Sequence, residues 1–127
     1  MKRPKRILMV DDDAHALFVL RHALARLEDG CEVLAATNGY DAMQAIQDLE
    51  LDLLITDIRL PGPSGVALTE ALRRCHADTP VIWITAHHDA RTQAQAGQLG
   101  VHGYLVKPLE IDEIRAAVRA SLAPRPS

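Results

Sequence analysis

Four apolar runs in this chain each end on a polar residue of a different chemical kind. RILMV runs into Asp11, Asp12 and Asp13, LDLLIT into Asp57, VIWI into Thr85 and GYLV into Lys107. Between them lie segments of helical period, such as Leu17, Leu20, Leu24 and Leu27, or Leu68, Ala71, Leu72 and Cys75. Short apolar runs alternating with helical stripes mark repeated βα units, whose parallel strands are covered on both faces. The carboxyl ends of such strands share one edge, where open α/β sheets bind ligands. That edge would gather carboxylates, a hydroxyl and an ammonium. Carboxylates forced together raise one another's pKa unless a cation neutralises them, and oxygen-only ligands select a hard ion such as Mg²⁺. The pattern points to a metal-assisted phosphate site.

The rest of the chain fits the same plan. CEVLAAT reads as a second strand, bounded by Asp29-Gly30 before it and an Asn38-Gly39 turn after it. Ala42, Ala45, Ile46 and Leu49 make a helical stripe, and Ile111, Ile114, Val118 and Leu122 make the last one. Pro61 and Pro63 exclude a regular helix from the loop RLPGPSG, and Asp78-Thr79-Pro80 closes the helix before VIWIT. HGYLVK is the fifth strand. The segment HHDARTQAQAGQLG is the weakest helix, with an apolar face expected from Ala90, Ala94 and Leu99. Its Gly97 costs about 1 kcal/mol relative to Ala in a helix interior, so this element should dock most loosely and be the most mobile. Five parallel strands and five helices, an α/β domain over residues 5–122, is the expected architecture. Residues 123–127, with Pro124 and Pro126, read as a tail or the start of a linker.

A chain of 127 residues, 48% hydrophobic, suits one domain with one core. Formal net charge is -3, and the basic cluster Lys2, Arg3, Lys5 and Arg6 is too small a footprint for nucleic acid, so no direct nucleic-acid binding is expected. Cys31 and Cys75 stand far apart with no CxxC, as thiols do in a reducing compartment. No apolar stretch approaches a membrane span and no signal pattern opens the chain. A cytoplasmic protein without membrane contact is expected.

At the predicted sheet edge, Asp57 ends the central run, and a carboxylate there can attack phosphorus to form an aspartyl phosphate. Mg²⁺ takes only one or two protein carboxylates directly, which suggests Asp12 and Asp57 as direct ligands and Asp11 as a ligand through water. Asp13 is better placed to cap the helix that begins near Ala14. Lys107, anchored between an apolar strand and Pro108, can offset charge on a phosphoryl oxygen. Thr85 can donate a hydrogen bond to the same group, and Ala86 beside it leaves room. His15, His22, His76, His88 and His102 show no HxH or HxxxH ligand spacing.

VDDD, LDLLITDIRLPGPSG, VIWITA and GYLVKP, in this order and separation, resemble the receiver domain of two-component response regulators over about residues 5–122. The resemblance implies a flavodoxin-like fold with strand order 2-1-3-4-5. It implies that Asp57 is the phosphoacceptor, served by a sensor histidine kinase or histidine phosphotransfer protein. Asp11 and Asp12 match the family's acidic pair for Mg²⁺, and the backbone carbonyl of Arg59 its third protein ligand. Thr85 and Lys107 match the conformational hydroxyl and the phosphate-binding lysine, and Tyr104 the aromatic switch position, which plain core packing would also explain. Lys107-Pro108 looks like the family's cis peptide.

Three departures stand out. Pro63-Ser64 replaces the usual Met-Asp of the loop, which stiffens it without removing a ligand. Arg59 and His87, two residues beyond Asp57 and Thr85, match positions that in the family flank the path of hydrolytic water, so the resemblance implies that a bulky Arg59 should slow loss of the phosphoryl group. Val-His-Gly before Tyr104 replaces an acidic pair common in members with symmetric activation dimers, which argues against dimerisation through that face. The same residues admit other readings. A phosphatase of the haloacid-dehalogenase type would use Asp11 and Asp13, but Ala14 stands where that family has Thr or Val, and neither a later acidic pair nor a cap domain is present. A receiver that no longer accepts phosphate and serves only as an interaction module is the other. An output protein or an attached effector domain is the expected second partner.

Overall fold

The computed structural model describes residues 4–25, 27, 30–86 and 89–123. The elements, in chain order, are β1 (Lys5–Val10), α1 (Ala14–Leu24), β2 (Cys31–Ala36), α2 (Gly39–Asp48) and β3 (Leu53–Asp57), then α3 (Gly65–Cys75), β4 (Val81–Thr85), α4 (Ala90–Gln98), β5 (Gly103–Val106) and α5 (Ile111–Leu122). The five strands form one parallel sheet in the order β2-β1-β3-β4-β5. The flavodoxin-like architecture expected from the sequence is the one observed.

Strand period explains how one sheet makes two cores. Side chains alternate across a strand, so Ile7 and Met9 face one side while Leu8 and Val10 face the other. On the first side, α1 and α5 pack Leu20, Leu24, Ile114 and Val118 against β1, β3 and β4. On the second, α2 and α3 bring Ala42, Ile46, Leu68 and Leu72 to meet Leu54 and Trp83. Strands β3 and β4 are buried along their whole length, which is why LLITD and VIWIT are nearly continuous apolar runs.

Side-chain caps begin four of the helices. The side chains of Asp13, Asn38, Ser64 and Asp89 accept from the backbone N–H of His15, Asp41, Ala67 and Thr92, meeting donors that a helix start leaves unpaired. Asn38-Gly39, read from sequence as a turn, is therefore a cap and the first residue of α2. α1 stops at Leu24, short of Leu27, which still packs against the core; Asp29, expected to end it, lies outside the described residues, as do Lys2, Arg3, Pro124 and Pro126.

Two further expectations need correction. Cys75 is exposed rather than part of the α3 core face, because Leu68, Thr69, Ala71 and Leu72 already fill it. In α4, Ala90 and Ala94 point to solvent; the buried residue is Ala96, with Thr92, Gln95 and Leu99 half-buried beside it. The C-terminal end of α4 is held by Arg73 of α3, whose Nε and Nη2 donate to the carbonyls of Leu99 (2.8 Å) and Gly100 (3.1 Å). That tether and the Asp89 cap orient the helix, and the polar residues on its inward face hide the stripe from a reading by hydrophobicity.

One buried polar chain crosses the second core. Trp83 Nε1 donates to Thr69 Oγ1 at 2.8 Å, and the Thr69 hydroxyl donates to the Gly65 carbonyl at 2.8 Å. Both side chains are fully buried, so losing the hydroxyl strands the indole N–H away from water. Thr69→Val, nearly equal in shape, should lower unfolding free energy by about 1–3 kcal/mol in a denaturant titration; an unchanged midpoint would show that Trp83 finds another acceptor.

Candidate functional site

Because the strands are parallel, β1, β3, β4 and β5 deliver their last residues to one edge. Asp11 is fully buried, Asp57 and Thr85 nearly so, and Asp12 is exposed. The Asp13 N–H donates to Asp11 Oδ1 at 2.9 Å, fixing that carboxylate, while the Asp13 side chain turns away to cap α1. Lys107 Nζ lies 3.1 Å from Asp57 Oδ2 and 3.1 Å from Asp11 Oδ2. The Arg59 N–H donates to the other Asp57 oxygen at 3.2 Å. The Lys107-Pro108 peptide bond is cis, and the Lys107 N–H donates to the Thr85 carbonyl at 2.9 Å.

Carboxylate oxygens of Asp11, Asp12 and Asp57 lie within 4.8 Å of one another. Asp11 Oδ2 sits beside the ammonium but accepts no well-aligned hydrogen bond, so lone-pair capacity remains on a buried carboxylate. This donor set suits a hard cation. Beside it opens a cavity of about 270 Å³ lined by Asp12, Asp57, Ile58, Arg59, Thr85, Ala86, Asp89 and Thr92. Asp11, Asp12, Asp57, Arg59, Thr85, Ala86 and Lys107 thus lie together at this edge. Asp89 and Thr92 were missed; the signal was a capping Asp four residues beyond Thr85, at the start of a helix whose polar face turns inward. His87 and His88 lie outside the described residues, and Ser64 caps α3 rather than facing the carboxylates.

Tyr104 is half-buried, packs on the second core, and has its hydroxyl enclosed beside Thr92 and Thr85. Burial, foremost, raises the phenol above its ordinary value; the two threonine hydroxyls lower it and the charge of Asp89 adds to the rise.

Burial likewise raises Asp11 above the ordinary 3.8, opposed by the Asp13 N–H and by Lys107 and reinforced by the charge of Asp57. For Lys107, burial pulls downward, but hydrogen bonds and charges from Asp11 and Asp57 outweigh it and the pKa is raised. The edge therefore keeps an ammonium through neutral pH and holds a carboxylate that is costly to ionise.

The family model described as the response regulator receiver domain matches residues 7–119. The chain belongs to the response-regulator receiver domains. Among curated relatives, the Escherichia coli K12 protein named DNA-binding transcriptional regulator NtrC is 37% identical over 117 residues, covering 92% of this chain and 24% of the relative. The regulatory protein AtoC of the same organism is 33% identical, with 92% and 25% covered. The receiver domain thus spans about a quarter of the length of these relatives. A CheY-like receiver structure from Methanospirillum hungatei superposes with a TM-score of 0.85 at 25% identity, covering 94% of each chain. The receiver domain of a putative LuxO repressor from Vibrio parahaemolyticus gives 0.85 at 26% identity, covering 94% of this chain and 91% of the other. No helix among the described residues is long and apolar enough to cross a membrane.

The raised pKa of Asp11 has a consequence for stability. A carboxyl raised above its unfolded value stabilises the fold below that value and loses this contribution as pH rises through the folded pKa. Ionised Asp11 is therefore a destabilising charge at neutral pH in metal-free protein. Asp11→Asn, which keeps an oxygen for the Asp13 N–H, should raise the thermal midpoint at pH 7 in chelator, with the gain shrinking as pH falls toward 3.8. A lower midpoint at pH 7 would mean that the attraction to Lys107 outweighs burial.

Proposed function

We propose that Asp57 of this receiver domain accepts a phosphoryl group from a phosphohistidine on a sensor histidine kinase or phosphotransfer protein, with Mg²⁺ held by Asp11, Asp12, Asp57 and the Arg59 carbonyl. The observation that carries the proposal is the meeting of Asp57 with Lys107 at 3.1 Å and with the acidic pair at the open sheet edge. A carboxylate oxygen of Asp57 attacks phosphorus, the P–N bond breaks, and the leaving imidazole keeps the electron pair and takes up a proton. Lys107 holds the attacking carboxylate and then faces the transferred group. Thr85 and Ala86 line the cavity where the phosphoryl oxygens would lie; the hydroxyl donates to one of them and the small Ala86 leaves space. Bound Mg²⁺ would neutralise charge on the phosphoryl oxygens.

The phosphorylated side chain carries about -1.5 to -2 charges in place of the single charge of the free carboxylate, at a mouth that already holds Asp12 and Asp89. Movement of Thr85 toward the phosphoryl group would alter its packing against Tyr104, and Tyr104 borders Thr92 of the sparsely buried α4. That chain of contacts makes the surface of α4, β5 and α5 the switched face, read by an output protein or an attached effector in the cytoplasm. The domain turns over no substrate other than its own phosphoryl group.

Intact mass after incubation with acetyl phosphate tests this reading. A single phosphoryl group should appear only with Mg²⁺ and be absent from Asp57→Asn. Continuous phosphate release that survives in Asp57→Asn would instead favour a phosphatase working through Asp11, and no uptake at all would favour a pure interaction module. In the same assay Arg59→Ala should shorten the lifetime of the phosphorylated form severalfold, since Arg59 lines the cavity beside Asp57 and a bulky side chain there would exclude water; an unchanged lifetime would remove Arg59 from that role.

A further inference from the structure

The loop between β3 and α3, residues 58–64, is closed at both ends. At its base the Gly65 N–H donates to the Ile58 carbonyl at 2.9 Å. At its tip it is fastened to the start of α2, where the Gly39 N–H donates to the Pro61 carbonyl at 2.8 Å. Gly39 lies so close to Pro63 that a side-chain carbon there would overlap the Pro63 carbonyl, and Gly62, at φ +77, presents its bare face to the ring of Tyr40. A Cβ at Gly62 would come within 2.6 Å of the Tyr40 ring. Tyr40 is otherwise 70% exposed. A large exposed aromatic laid over a glycine buries little of itself, and its visible effect is to cover the loop tip.

Both anchors are rigid. Pro61 and Pro63 fix φ within the loop. α2 is capped by Asn38 and held in the core by Ala42 and Ile46. The same loop carries Arg59, whose N–H already binds Asp57 and whose carbonyl is the proposed backbone ligand. Freezing that backbone matters because Mg²⁺ demands near-ideal geometry at about 2.0–2.1 Å, whereas Ca²⁺ accepts longer and more varied contacts.

We infer that Tyr40 is a positioning residue that clamps this loop and thereby sets the preference of the site for Mg²⁺ over Ca²⁺. The inference rests on the cation site proposed above. Tyr40 touches no reacting atom and acts through the backbone at Arg59. Removing the ring frees the loop tip to follow a larger cation, so the loss falls on Mg²⁺ and the discrimination narrows.

Titration of the backbone amide resonances of Asp57 and Arg59 with Mg²⁺ and with Ca²⁺, in wild type, Tyr40→Phe and Tyr40→Ala, tests it. Tyr40→Phe keeps the ring and should match wild type for both ions. Tyr40→Ala should raise the Mg²⁺ dissociation constant about tenfold, the low end of what supporting contacts around a metal site contribute, and move the Ca²⁺ constant far less. Thermal midpoints measured alongside should stay close together, because Tyr40 is largely exposed. An unchanged ratio of the two constants in Tyr40→Ala, through no effect or an equal effect on both, overturns the clamp while leaving the cation site intact. Wild-type amides that ignore Mg²⁺ overturn the cation site and the clamp with it.

Discussion

The ammonium of Lys107, 3.1 Å from Asp57 and 3.1 Å from Asp11, is the contact on which the top of this molecule depends. Three carboxylates with oxygens within 4.8 Å of one another would push the ends of β1 and β3 apart. Lys107 reaches them from the far side of the sheet, since β5 is separated from β3 by β4. One side chain therefore ties the edge strand to the centre and brings a positive charge beside the carboxylate that most needs it. The balance remains incomplete: Asp11 is still raised by burial, and one of its oxygens lacks an aligned donor. That residual cost is one that a divalent cation, held as proposed, would relieve.

Everything beneath the edge serves to keep it in register. β3 and β4 are fully buried and supply Asp57 and Thr85 from rigid strands, and the Ile58 N–H continues the ladder to the Ile84 carbonyl at 3.1 Å. Around this frame the packing is uneven. α3 buries five residues and is tied to β4 through Thr69 and Trp83, whereas α4 buries Ala96 and is held by Arg73 at one end and its Asp89 cap at the other. Fewer apolar contacts mean a lower free energy of local opening. The rigid side of the site carries the carboxylates, and the loosely held side carries Thr92 and Asp89 and backs onto Tyr104.

Much of the fold was legible because parallel strands covered on both faces must be apolar, which leaves their terminal polar residues conspicuous. Asp11, Asp12, Asp57, Thr85 and Lys107 stood out for that reason, as did the helical stripes of α2 and α5. What stayed hidden involves polar groups buried by partners distant in sequence. The inward face of α4 includes Thr92 and Gln95, so a hydrophobic count chose Ala90 and Ala94, both of which face water. Asn38-Gly39 has turn chemistry, yet the same amide that favours a turn caps a helix equally well. Thr69 gave no sign of receiving the Trp83 indole.

The sequence by itself determined the order of strands and helices, the five-stranded parallel plan and the residues that end each strand, because side-chain period and chain punctuation are local properties. Tertiary structure alone decided that Thr69 receives the Trp83 indole, that Lys107 meets two carboxylates at once, and that Tyr40 closes over Gly62. These outcomes depend on distances between residues remote in the chain, which exist only after helices on both faces have pressed the strands into a single sheet.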